Sequence, residues 1–137
     1  VKTEQVVNVM EQNQIKYTVI PEWDLIHFFD KVNKLFIGAY AITSDGKFVS
    51  DSGTSNIVSE CHIHQLPIYL FAPVLEFTPT FSRDQNIYLK EESETAGGVD
   101  FTLISHSSDI VSLDLVDHII TDQGEVNPEN LAEHCTV

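Results

Sequence analysis

Basic residues are scarce in this chain of 137 residues, which has six lysines and a single arginine, Arg83, against 21 acidic residues. The net charge of -14 repels a phosphate backbone, and bidentate phosphate contacts need arginine. The composition therefore argues against a nucleic-acid-binding protein. An acidic surface is better suited to a basic partner, or simply to high solubility.

Cysteines and long apolar runs are also few. Cys61 and Cys135 cannot build the disulfide framework of a small secreted protein, which indicates a reducing compartment, although the two could form one bridge. No apolar run approaches the ~20 residues that cross a bilayer. The first residues, VKTEQ, lack the basic and then apolar pattern of a signal peptide. We therefore expect a cytoplasmic protein that contacts no membrane.

The chain does contain a central unit over residues 34–73. Residues 35–37 form an apolar run that ends at Gly38, and residues 68–71 form a second one. Continuous apolar runs are typical of strands that are buried on both faces. A helical segment separates them, so the pattern predicts a βαβ unit with parallel strands. Ligands in such sheets bind beyond the carboxyl ends of the strands.

Two turn signals lie between these strands. Asp45-Gly46 predicts a tight hairpin, which we expect to project as a small β-arm. Gly53 then opens a helix whose unpaired N–H groups could bind an anion. The alternative is that Thr54 or Ser55 merely caps this helix.

The flanking segments complete an α/β pattern. Before the central unit we expect an amphipathic helix over residues 3–14, a short strand over 17–20 and a helix after Pro21. After it we expect a polar surface excursion over 78–98 and then strands at 101–104 and 119–121, which are separated by a loop rich in Ser and Asp with a short helical turn. A brief helix should follow Asn127-Pro128. The predicted fold is a single α/β domain over residues 1–137, with a Rossmann-like parallel sheet, flanking helices and a small β-hairpin arm. Because doubly wound domains usually open on a strand, we expect the chain to be the carboxyl-terminal part of a longer protein.

Several groups of reactive side chains are candidates for catalytic or metal sites. On one helix, His62 points away from the face that Cys61 and His64 share, so the three do not converge on one ion. We expect Cys135 to lie in a mobile terminus and therefore to form no nucleophilic pair with His134. The remaining candidates are interpreted as solvated or structural residues: Asp109, Asp114, Asp117, His106 and His118. We expect no metal and no cofactor.

The ordered set of motifs resembles a known family. The segments are YTVIPEWDLIHFFDKVNK, FIGAYAITSDGKFVSDSGTSNI, LPIYLFAP, EFTPTF and DIVSLDLVDHIITDQGEVNP. They are similar to the family that unites the regulatory subunits of eukaryotic translation initiation factor 2B with methylthioribose-1-phosphate isomerase and archaeal ribose-1,5-bisphosphate isomerase. The resemblance implies that the family's amino-terminal helical domain, with the catalytic cysteine of the isomerases, would lie upstream of Val1.

The resemblance also assigns residues to a sugar-phosphate pocket. The positions that it implies for ligand binding are Gly38, Ser50, Asp51, Gly53, Thr54 and Ser55. In the isomerases an acid/base aspartate follows Gly-Ala, whereas Tyr40 stands here, and a phenol titrates only near pH ~10. The isomerases' phosphate-binding Asn-Lys pair falls on Ser50 and Asp51, and an aspartate repels the phosphate that a lysine would attract.

The expected function is accordingly a non-catalytic one. The resemblance implies a regulatory-subunit-like protein that forms homo- or hetero-oligomers with family subunits and contacts a GTP-binding initiation factor. The alternative is a sugar-phosphate isomerase or a relative that senses a sugar phosphate or nucleotide through Gly53, Thr54 and Ser55. A third interpretation is a bacterial or archaeal relative of unknown role with an altered pocket.

Overall fold

The computed structural model describes residues 2–78 and 84–135. Three α-helices are present in these ranges: α1 (Lys2–Gln12), α2 (Thr54–Ile63) and α3 (Leu131–His134). The strands are β1 (Leu35–Gly38), β2 (Ala41–Thr43), β3 (Lys47–Asp51), β4 (Ile68–Phe71), β5 (Phe77–Thr78), β6 (Leu89–Ala96), β7 (Val99–His106), β8 (Ser108–Ser112), β9 (His118–Thr121) and β10 (Gly124–Val126). Short 3-10 helices cover Glu22–Phe28, Val74–Glu76, Gln85–Tyr88, Leu113–Leu115 and Pro128–Asn130.

The first sheet has the order β1-β4-β9-β10. β1 pairs in parallel with β4, in a register that places Leu35 opposite Ile68, and β4 pairs in parallel with β9. β10 adds an antiparallel edge. The α/β fold class and the parallel βαβ unit are thus confirmed, with α2 as the crossover helix.

The prediction that both faces of this sheet are buried is wrong for β1 and β4. Ile68 and Leu70 belong to the same buried cluster as Val58 of α2, which covers one face. On the other face Phe36 is 61% exposed and packs edge-to-face on Phe71, which is also exposed. The apolar run alone could not reveal that only one side is covered.

The predicted hairpin at Asp45-Gly46 is present, but it does not project from the domain as the small β-arm that was expected. Gly46 has a φ of +82° and donates its N–H to the Thr43 carbonyl at 3.1 Å, which closes the turn between β2 and β3. These strands lie at the centre of a second sheet with the order β5-β2-β3-β8. Ile42 and Phe48 are fully buried in it, because the hairpin packs into the hydrophobic core instead of leaving it.

The projecting element is the hairpin of β6 and β7, which includes residues 89–98 of the predicted surface excursion over 78–98. Its strands pair over their whole length and turn at Gly97 and Gly98, both with positive φ. The hydrogen bond from Ser107 N to Tyr88 O, 2.8 Å long, closes its base. The expected surface position is correct, but the strand at 101–104 belongs to this arm and not to the main sheet. The expectation for residues 79–83, which include the second half of EFTPTF, lies outside the described residues.

The remaining differences concern short segments. Residues 17–20 form no strand, and the helix after Pro21 is a 3-10 helix. The loop rich in Ser and Asp contains β8, which pairs with β3. A mobile carboxyl terminus was expected, whereas Leu131 and Cys135 are buried, so the segment packs on the core up to Cys135. None of the described helices is long and apolar enough to cross a membrane.

Candidate functional site

A cavity of about 360 Å³ opens where β1 ends, beside β3 and the start of α2. Five of the positions that the resemblance singled out line it: Gly38, Tyr40, Ser50, Asp51 and Thr54. Lys2 and Glu22 contribute charged side chains to the same cavity. The structure therefore brings most of the predicted site together, although Gly53 and Ser55 do not line this cavity.

Asp51 is the centre of a polar network at the mouth of the cavity. The Tyr40 hydroxyl donates a hydrogen bond to Asp51 Oδ1 at 2.6 Å. The Lys2 ammonium donates to both carboxylate oxygens, at 2.8 and 2.9 Å, and also contacts the Tyr40 hydroxyl. The hydrogen bonds from Lys2 and Tyr40 lower the pKa of the Asp51 carboxyl, and the hydrogen bond to Asp51 raises the pKa of Lys2. Asp51 is thus held as a carboxylate.

Two hydroxyl groups at the back of the cavity are engaged with the protein itself. Ser50 Oγ donates to the Gly38 carbonyl at 2.7 Å, and Thr54 Oγ1 donates to Ser50 Oγ at 3.4 Å. Both residues are buried. Because these contacts join the end of β1 to β3 and α2, they fix the shape of the cavity.

The amino terminus of α2 binds a carboxylate of the same chain. Asp109, from β8, accepts hydrogen bonds from Gly53 N at 3.0 Å, Ser55 N at 3.0 Å and Ser55 Oγ at 2.8 Å. Gly53 adopts a φ of +93°, which favours glycine because it has no Cβ. The position predicted for an external anion is therefore occupied by Asp109, which sequence reasoning interpreted as a solvated residue. The contact spans more than fifty residues, so no local pattern could have indicated it.

A second and larger depression, of about 420 Å³, lies beside this helix terminus. It runs between the 3-10 helix Glu22–Phe28 and α2, and Gly53 contributes to its wall. Sequence reasoning predicted a helix after Pro21 but no depression beside it. Along this depression Trp23 is 82% exposed and Ile26 is 63% exposed.

The cysteines and histidines form no further centre in the described ranges. Cys61 is buried, which raises the pKa of its thiol, and His64 stacks on Phe29 with ring centroids 4.0 Å apart. Burial likewise raises the pKa of the Cys135 thiol. Across residues 2–78 and 84–135 no three His, Cys, Asp or Glu side chains are placed to hold a metal ion together.

The other candidate residues have structural contacts or face solvent. Asp117 accepts a hydrogen bond from Ile68 N at 2.7 Å and so ties the start of β4 to the segment before β9. His118 stacks on Tyr69 and lies 2.5 Å from a Glu125 carboxylate oxygen. Asp114 is exposed. None of these side chains lines the cavity at the end of β1.

A comparison with protein families identifies the group. The sequence pattern of the initiation factor 2 subunit family matches residues 2–128. The chain therefore belongs to the initiation factor 2 subunit family. This match confirms the resemblance drawn from the motifs.

Members of this family with different activities are similar to the chain. It is 28% identical to translation initiation factor eIF2B subunit beta of Dictyostelium discoideum, over 87% of the chain and 33% of that protein. It is 26% identical to methylthioribose-1-phosphate isomerase of Crocosphaera subtropica, over 88% of the chain and 38% of the isomerase. The crystal structure of the translation initiation factor eIF-2B from Pyrococcus horikoshii superposes with a TM-score of 0.76 at 26% identity, covering 93% of this chain and 46% of that one.

Two facts limit what family membership says about activity. The chain spans less than half the length of the relatives that it matches. In addition, its identity to a translation factor subunit and to an isomerase is nearly equal. Membership of the initiation factor 2 subunit family is thus compatible with an assembly subunit and with an enzyme, and the residues of the cavity have to decide between them.

Proposed function

We propose that this chain is a non-catalytic, regulatory-subunit-like member of the initiation factor 2 subunit family, which acts by assembling with family subunits and binding a partner protein. The observation that carries the proposal is the network of Lys2, Tyr40 and Asp51. The resemblance places the acid/base aspartate of the isomerases at position 40 and their phosphate-binding lysine at position 51.

The charges of the cavity support this proposal. Asp51 and Glu22 are both acidic, and the ammonium of Lys2, the one cationic side chain among the described lining residues, is already bound to Asp51. A phosphate group entering here would meet a net negative charge and would have to break the Lys2 pair. Tyr40 donates a hydrogen bond from its hydroxyl to Asp51, so this side chain offers no carboxylate in the position of the isomerases' acid/base aspartate.

Exposed apolar side chains support an assembly role. Phe36 and Phe71 lie on the open face of the first sheet, while Trp23 and Ile26 lie on another side of the domain. Large apolar side chains at the surface are typical of protein interaction sites when they cluster. We further propose, as the resemblance suggests, that the eventual partner of the assembly is a GTP-binding initiation factor.

A sugar-phosphate isomerase or a sugar-phosphate or nucleotide sensor is the second candidate. The observation that favours it is the cavity itself, which combines the Lys2 ammonium with the polar side chains of Ser50 and Thr54 at the carboxyl end of a parallel strand. A ligand that displaced Asp51 from Lys2 would find a cation and two hydroxyl groups.

Two measurements test the proposed function. The full-length protein is incubated with ribose 1,5-bisphosphate and with methylthioribose 1-phosphate, and isomerisation is followed by NMR; we expect none. Thermal shift with ribose phosphates, methylthioribose 1-phosphate and nucleoside monophosphates is expected to show no saturable stabilisation. Turnover, or stabilisation that Thr54→Ala abolishes, would refute the non-catalytic assignment in favour of the second candidate.

Two further measurements address charge and assembly. If Asp51 repels phosphate, Asp51→Lys increases the affinity for ribose 5-phosphate, and unchanged affinity would mean that this carboxylate does not control the cavity. Light scattering at micromolar concentration is expected to show an oligomer. A strict monomer, alone and mixed with a purified family subunit, would contradict the assembly role.

A further inference from the structure

The depression beside α2, here called the Trp23 groove, has an apolar interior. It is lined by Trp23, Leu25, Ile26, Phe29 and Ile57, together with Glu22, Gly53, Asn56 and Glu60. Leu25, Phe29 and Ile57 pack against the buried core and form the inner wall, whereas Trp23 and Ile26 remain largely exposed. The groove therefore has a fixed apolar floor and a large aromatic side chain free to make a contact.

The charged side chains that line the Trp23 groove are all acidic. Glu22 and Glu60 are carboxylates, and none of the described residues that line the groove is lysine, arginine or histidine. His64, the residue after α2, has its Nε2 3.9 Å from Glu60 Oε2. The remaining polar lining comes from Asn56 and the backbone. An occupant that brings a cation to these carboxylates is thus favoured over a neutral or acidic one.

We propose that the Trp23 groove docks a segment of a partner protein that combines large apolar side chains with lysine or arginine. The apolar side chains would lie on Leu25, Phe29 and Ile57, and the cation would lie between the carboxylates and the face of the Trp23 ring, where cation–π attraction is strongest for tryptophan. Trp is also enriched among residues that dominate binding energy. This inference deepens the partner-binding role proposed above and rests on it.

A second copy of the same chain is a poorer occupant. A symmetric contact between two grooves would bring Glu22 and Glu60 of both chains into one interface, and both chains carry a net charge of -14. Like charges across an interface reduce affinity by orders of magnitude. The groove is therefore assigned to a partner of opposite charge.

Binding of labelled peptides to the full chain tests the proposal. The first probe is a fluorescein-labelled amphipathic peptide in which pairs of leucines alternate with pairs of lysines. A second peptide has serine in place of leucine and the same charge, and a third has glutamate in place of lysine. We expect saturable anisotropy with the first probe only. Because Trp23 is the single tryptophan, its emission should shift to the blue at the same concentrations.

Substitutions locate the site. Trp23→Ala is expected to weaken binding of the first probe by about thirty-fold, as for a central interface tryptophan. Glu22→Gln with Glu60→Gln should weaken it by roughly three- to thirty-fold, since each partly exposed charge contact contributes modestly. The matched control, Glu91→Gln with Glu92→Gln on the β6–β7 arm, removes the same charge elsewhere. At an ionic strength that screens distant charges, it should change the affinity for the first probe by less than about two-fold.

The outcomes separate this inference from the proposed function. Equal loss in both double variants, equal binding of the serine peptide, or no binding of the first probe would overturn the groove assignment. A self-dimer that Trp23→Ala dissociates would also overturn it, in favour of a second copy. Isomerase turnover would instead refute the non-catalytic role, and it is measured independently of the peptide result.

Discussion

The carboxylate of Asp109 is expected to contribute more to stability than any other acidic side chain of the described site. Asp109→Ala leaves Gly53 N and Ser55 N without the acceptor that now lies 3.0 Å from each, and it also removes the 2.8 Å bond from Ser55 Oγ. Loss of a helix cap costs about 0.5–2 kcal/mol, and hydrogen bonds to charged groups contribute about 1.5–3 kcal/mol each. Since Asp109 is only half-buried, water recovers part of this loss.

We therefore expect Asp109→Ala to lower the free energy of unfolding by about 2–4 kcal/mol. For a chain of this size that corresponds to a fall in Tm of roughly 6–16 °C. Urea unfolding followed by circular dichroism measures the change, with an unaltered m-value as the sign that only stability has changed. Asp109→Asn retains one oxygen acceptor and should cost less.

The control is Asp114→Ala, since Asp114 is exposed and lies on the same segment. Surface substitutions of this kind usually change stability by within about 0.5 kcal/mol. Sulfate should stabilise Asp109→Ala more than the original chain, because it can occupy the vacated position at the helix terminus in addition to its general stabilising effect. Equal stability of the two alanine variants would refute the reasoning, because it would mean that water caps α2 as well as Asp109 does.

Three other predictions concern separate parts of the molecule. Replacing residues 89–106, the β6–β7 arm, by a short glycine turn should change the free energy of unfolding by less than about 1 kcal/mol in urea, since the arm is largely exposed. Loss of cooperative unfolding would show instead that the core depends on the arm. Phe48→Ala should cost about 3–5 kcal/mol in the same assay because Phe48 is fully buried, whereas Leu75→Ala should have little effect because Leu75 is 92% exposed. The pKa of the Asp51 carboxyl, followed by NMR, should lie below the ordinary range of aspartate, and Lys2→Met should raise it. Because the pKa is lowered in the folded state, the small stability contribution of Asp51 is present above pH ~4 and is lost as pH falls through the lowered pKa.

The elements that local patterns describe could be predicted from the sequence. The apolar runs at β1 and β4, the Asp45-Gly46 turn and the helix opened by Gly53 depend on neighbouring residues, and all four are present. Some errors concern elements that were missed or wrongly assigned, such as β8 and the absent strand at 17–20, and others concern which layer covers which element. Apolar composition did not reveal that Phe36 lies on an uncovered face or that the β2–β3 hairpin is central to its sheet.

For the site, too, the sequence predicted the local arrangement of residues but not their long-range partners. The motif order brought Gly38, Tyr40, Ser50, Asp51 and Thr54 to one cavity, because a βαβ unit places the end of the strand beside the start of the helix. The partners of these residues were not predictable. Lys2 reaches Asp51 across 49 positions of the chain, and such contacts depend on tertiary packing that no periodicity encodes.

These long-range partners alter the chemistry that the local motif suggests. A glycine-opened helix beside a strand end is an anion site only while its N–H groups and nearby cations are free. Here Asp109 binds the N–H groups of Gly53 and Ser55, and Asp51 binds the ammonium of Lys2. Each of these donors, which could otherwise hold a phosphate, is thus matched by a carboxylate of the protein. Under the proposed function, the chain keeps the cavity at the end of β1 while carboxylates of the protein itself satisfy the donors around it.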